Sequence, residues 1–179
     1  FKSISETVEQ SSVESSPYQG LDLPIVCFEE AKPYEAHVPI YHLDAAAGDF
    51  SCTQTAEDYH WVELPDHINV SEGMFVMRVV GESMNRRIPS GSWCLFKVNP
   101  GGSRNGKAVL VQHRNIEDAD HGGSFTVKVY HSEKTVEDDL VVNTKVTLKP
   151  DTNAFGYSPI IIEDSDDDRK VIGEYLVVV

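Results

Sequence analysis

Hydrophobic and polar positions alternate at short range along most of the chain. Runs rich in β-branched and aromatic residues are separated by Gly, Pro, Asn and Asp. From His37 onward this pattern predicts strands at 38–43, 74–80, 93–98, 107–112, 124–130, 139–149 and 171–179, with a further short one at 159–162. Turn signals fall between them at 89–92, 99–106, 118–123 and 150–153. No ten-residue stretch carries helical periodicity, although a short helical turn is expected just after Ser83. The reading is a mainly β domain with many bends and no internal repeat.

Residues 1–36 differ in character. They are rich in Ser, Glu and Pro, and two lysines face seven acids. Within them, 23–28 (LPIVCF) looks able to pack. This segment is expected to be a partly disordered linker or arm, or else an expression overhang, ahead of a folded domain at 37–179. Because the chain starts at Phe1, it is expected to be a fragment of something longer.

Composition narrows the function. The chain has 179 residues and a net charge of -14, with 29 acids against 15 basic residues. That balance disfavours direct nucleic-acid binding, which needs clustered Lys and Arg. No apolar stretch approaches the length of a membrane helix, so no membrane association is expected. Cys27, Cys52 and Cys94 are odd in number and lack a CxxC spacing. Neither a disulfide framework nor a zinc site is expected, and a cytoplasmic location fits. The acidic run 163–168 (EDSDDD) reads as a solvated turn, or as a calcium loop without the usual ligand spacing. No cofactor or metal is expected.

One segment invites chemistry. In 79–91 (VVGESMNRRIPSG) a strand ends at Val80, Gly81 permits a sharp turn, and Ser83 stands at its tip. A serine hydroxyl needs a base to act as a nucleophile. None of the seven histidines (His37, His42, His60, His67, His113, His121, His131) sits in a triad motif, and GESMN is not a G-x-S-x-G elbow. Lys128 is the other candidate. Strand alternation puts Thr126, Lys128 and Tyr130 on one face, and Phe125, Val127 and Val129 on the other. A mid-strand lysine is ordinarily exposed. A buried one is driven toward the neutral amine, which can take a proton from serine. The small-residue segment 42–50 (HLDAAAGDF) includes Ala47-Gly48, a bond with almost no side-chain bulk. It reads as an extended cleft-binding stretch or as a simple bend.

Taken in order, these features resemble the LexA/UmuD family of self-cleaving serine–lysine peptidases. The matching segments are Ala47-Gly48, 81–84 (GESM), 91–96 (GSWCLF), 104–106 (RNG), 125–128 (FTVK), 148–150 (LKP) with Asn153, and 157–160 (YSPI). They span roughly three-quarters of the chain. The resemblance implies a bent, mostly antiparallel β fold. It makes Ser83 the nucleophile, Lys128 the general base and the backbone N–H groups of Glu82 and Ser83 the oxyanion donors. It makes Ala47-Gly48 the bond cut within the same chain. It further implies homodimerisation and a DNA-damage trigger delivered by a RecA–single-stranded DNA filament.

Several details depart from the family. The DNA-binding helix-turn-helix is absent from 1–36. Asp44 stands where an apolar residue would sit more comfortably, and Arg86-Arg87 replace a commoner acidic, glycine-rich stretch; two arginines there could meet an acidic partner. The 45 residues from Ser83 to Lys128 exceed the usual spacing, the excess lying in a hairpin tip at 113–123. These features look most like versions fused to larger DNA-processing or defence proteins such as helicases, with a stand-alone regulator as the other reading. A non-cleaving dimerisation or partner-binding module is the competing function. Type I signal peptidase, which also pairs Ser with Lys, is disfavoured by the missing membrane helix.

Overall fold

The computed structural model describes residues 18–41, 60–113, 125–137, 140–162 and 169–179. Ten strands are assigned: β1 (Ile25–Val26), β2 (His37–Tyr41), β3 (Trp61–Glu63), β4 (Met74–Val79), β5 (Ser92–Lys97), β6 (Ala108–His113), β7 (Phe125–Glu137), β8 (Leu140–Lys149), β9 (Ile160–Ile162) and β10 (Arg169–Val178). No helix is assigned among the described residues. The strands form a sheet ordered β1-β3-β2-β4-β5-β10-β6-β7-β8-β9.

The sheet is mostly antiparallel, as expected, and holds one parallel pair. β2 runs parallel to β4, pairing Ile40 with Val76 and Tyr41 with Met77. The reason is topological. β3 returns antiparallel along one edge of β2. The chain then reverses once more, so β4 reaches the other edge of β2 in β2's own direction.

The bends have identifiable sources. β10 shifts register between Val171 and Gly173 against β6, and between Tyr175 and Val177 against β5. Such bulges bend a strand and increase its local twist. They let one strand serve two neighbours in succession. Its first half pairs with β6 and its second half with β5, Glu174 being common to both.

Packing among the described residues divides into three apolar clusters. The largest joins Phe75, Met77, Cys94 and Phe96 to Leu110, Val127, Val129, Met84 and Ile88. The second gathers Val38, Ile40, Val62, Trp93 and Leu95, with Tyr18, Leu21, Leu23 and Ile25 packed against it. Residues 18–25 of the arm thus lie on the sheet, and Trp93 Nε1 donates to the Gln19 carbonyl at 3.2 Å. The third joins Val109, Val111, Val146, Leu148 and Ile162.

Candidate active site

The site forms where the β4–β5 connection folds onto β7. Gly81 leaves β4 with φ 103°, a left-handed conformation that a side chain would strain. Its N–H donates to Ser90 Oγ at 2.9 Å, which closes the base of the turn. Above that base, the Ile88 N–H donates to the Met84 carbonyl at 2.8 Å and the Arg87 N–H does so at 2.9 Å. This is the short helical turn expected after the serine. Met84 and Ile88 are buried in the largest cluster and anchor the turn to the sheet. The anchoring carries Ser83 inward, to 5% exposure.

Lys128 meets it from β7. Both faces of its opening stretch, 125–129, are covered: Phe125, Val127 and Val129 pack into the largest cluster, while Thr126 and Lys128 are buried on the opposite face. Lys128 stands across from Val109, and Thr126 across from Val111. Both valines belong to the third apolar cluster. The lysine is 3% exposed, so the choice left open by strand alternation resolves toward burial. Its Nζ lies 2.9 Å from Ser83 Oγ and donates to Thr126 Oγ1 at 2.6 Å. Two groups 45 residues apart in sequence are thus in hydrogen-bond contact.

A second loop secures the turn. The Asp151 N–H donates to the Ser83 carbonyl at 2.9 Å, and the Arg86 N–H donates to the Asp151 carbonyl at 3.1 Å. The Asp151 carboxylate accepts from Arg87 Nε and lies 3.7 Å from Arg86 Nε. The paired arginines therefore serve this loop. Asn85 reaches Thr152 and Asn153 of the same loop. Sequence reasoning missed Asn85, Asp151 and Thr152, because nothing in local periodicity signals a contact across more than 60 residues. The N–H groups of Glu82 and Ser83 meet no acceptor among the described residues. They flank the serine with donor capacity to spare.

Ala47, Gly48 and Asp44 lie outside the described residues, as do the run 163–168 and most of the hairpin tip at 113–123. Among the described residues, no group of three His, Cys, Asp or Glu side chains is placed to hold a metal ion.

A bent β domain with a buried serine and lysine in contact defines the architectural class. The chain belongs to the peptidase S24-like family, whose model matches residues 39–176. No curated protein matches the sequence.

Proposed function

We propose that the domain is a serine–lysine peptidase that cuts its own chain at Ala47-Gly48 and so acts as a regulatory switch. The observation that carries this reading is the buried 2.9 Å contact between Ser83 Oγ and Lys128 Nζ. Family membership supports the same chemistry.

Under this reading the steps are those of acyl transfer through an ester. Lysine acts as a base only as the neutral amine, with its lone pair toward the serine hydroxyl. The contact with Thr126 Oγ1 occupies one N–H and holds the amine in register. Nζ takes the hydroxyl proton as Oγ bonds to the carbonyl carbon of Ala47. Negative charge moves to the carbonyl oxygen, where the N–H groups of Glu82 and Ser83 are the available donors. The lysine then gives its proton to the Gly48 nitrogen and the C–N bond breaks. An ester joins Ala47 to Ser83. A water molecule, deprotonated by the lysine, hydrolyses it and restores the serine. Because substrate and nucleophile share one chain, effective concentration replaces tight recognition.

The trigger expected from the resemblance, a RecA–single-stranded DNA filament, would act by favouring the docked form of the cleavage segment. The domain would then report DNA damage to a larger regulatory or DNA-processing protein, in the cytoplasm.

A second reading, a dimerisation module with slow or no cleavage, is favoured by one observation. Beyond Glu174, β10 pairs with β5, while β6 accompanies it no further. The strand there ends in half-exposed Leu176, Val177 and Val178. Lys128→Met separates the two readings. Under the first, cleavage slows by about 10²–10⁴-fold, while self-association is retained. Cleavage at the wild-type rate in this variant would remove the lysine from the mechanism.

A further inference from the structure

A chain of side-chain contacts leads from the site toward the 151–154 loop. Asn85 Nδ2 donates to Glu82 Oε2 at 2.9 Å. Asn85 Oδ1 accepts from Thr152 Oγ1 at 3.0 Å and from the Asn153 N–H at 3.1 Å. Thr152 Oγ1 in turn accepts from the Ala154 N–H at 2.9 Å. The two ends of the Asn85 carboxamide therefore have different duties. The oxygen grips the second loop, and the nitrogen grips the residue that precedes the serine. No other common side chain of this size offers both a donor and an acceptor in this geometry.

The gripped residue matters because its backbone carries an N–H proposed to face the oxyanion. Such donors must lie about 2.7–3.1 Å from the developing charge. Rotation of the peptide plane about its flanking bonds spoils that aim without breaking the fold. The Ser83 carbonyl is fixed by the Asp151 N–H. On the N-terminal side of the serine, the side-chain tether to Asn85 ties the turn to the second loop.

We propose that Asn85 is a positioning residue: acting through Glu82, it aims the backbone N–H groups of Glu82 and Ser83 at the oxyanion. This inference deepens the proposed peptidase reading and rests on it. Asn85→Asp isolates the link. The variant keeps an oxygen for Thr152 and Asn153 but sets two carboxylates against each other where a hydrogen bond had been. Adding Glu82→Gln restores a donor–acceptor pair with its polarity reversed.

The test compares wild type, N85D and N85D/E82Q. The readouts are self-cleavage, covalent labelling of Ser83 by a fluorophosphonate, and melting temperature. In the labelling reaction Oγ displaces fluoride from phosphorus, and the phosphoryl oxygen takes the place of the oxyanion. N85D should slow both reactions about tenfold, the equivalent of one lost hydrogen bond, with an unchanged melting temperature. The double variant should recover to within about threefold of wild type. Wild-type rates in N85D, or a loss that E82Q does not repair, would overturn the inference alone. A wild-type chain that neither labels nor cleaves would overturn both the peptidase reading and the inference.

Discussion

Thr126 shows how much one hydroxyl can matter in a buried site. It is 1% exposed, accepts from Lys128 Nζ at 2.6 Å and stands across the sheet from Val111. Thr126→Val keeps the shape and removes that acceptor. Taking a partner from a buried donor costs about 1–3 kcal/mol, so the midpoint of urea unfolding should fall. Self-cleavage should slow as well, because the amine loses its alignment. An unfolding midpoint equal to wild type would show that this contact carries no weight. Cys94 sets a different limit. Burial in the apolar core pushes its thiol from the ordinary 9.0 up to about 12. The neutral thiol is therefore the folded form, and its contribution to stability is complete below pH 9.0 and is lost as pH rises toward about 12. Across that window the loss is about 1.4 kcal/mol per pH unit. Peptide mapping after alkylation of the native protein at pH 8 should find exposed Cys27 modified and Cys94 unmodified. Modification of Cys94 at the rate of Cys27 would contradict its burial. At this scale the serine, the lysine and the face shared by Thr126 and Lys128 were legible in the sequence. Asn85 and Asp151 were not, since their partners lie on segments more than 60 residues away.

Among the elements, the long strands were readable because alternation and turn residues bounded them on both sides. β4, β5, β6 and β8 lie within a residue or so of their expected limits. β7 is the longer exception: it continues to Glu137, well beyond the apolar stretch that announced it. β1 and β3 went unannounced, being two and three residues long, too short for any period to show. They exist because the sheet offers them edges: β3 pairs with β2, and β1 with β3. The bulges of β10 were equally invisible, although Gly173 beside one of them had a reason to be there. A Cβ at Gly173 would lie 3.1 Å and 3.2 Å from the Phe75 ring and 3.3 Å from the Lys97 carbonyl. The ring has little room to retreat, because it stacks on Phe96 with centroids 5.5 Å apart. Gly173→Ala should therefore destabilise the domain by about 1–3 kcal/mol through overpacking, read from chemical denaturation. A neutral result would mean that the β10 bulge yields easily.

At the scale of the molecule, the mainly β class followed directly from the pattern of short strands. The parallel β2–β4 pair did not, because strand direction depends on how many times the chain reverses between two segments. The exposed end of β10 carries a prediction about assembly. Beyond Glu174 β10 pairs with β5 but not with β6, and with its partly exposed Leu176, Val177 and Val178 that edge invites a second chain. Sedimentation velocity should find a dimer, and Leu176→Lys with Val178→Lys should convert it to a monomer. A monomeric wild type would remove the dimer proposal. The central claim is that the buried pair cuts the chain. The most direct measurement is intact-mass analysis of the purified protein after incubation at pH 7 and at pH 10, with Ser83→Ala in parallel. High pH favours the amine form of any lysine, and circular dichroism at pH 10 checks whether the chain is still folded despite the destabilisation that Cys94 imposes. The account predicts two fragments that divide between Ala47 and Gly48, faster at pH 10 and absent from the serine variant. A folded chain that stays whole at both pH values, or fragments that persist in Ser83→Ala, would contradict it.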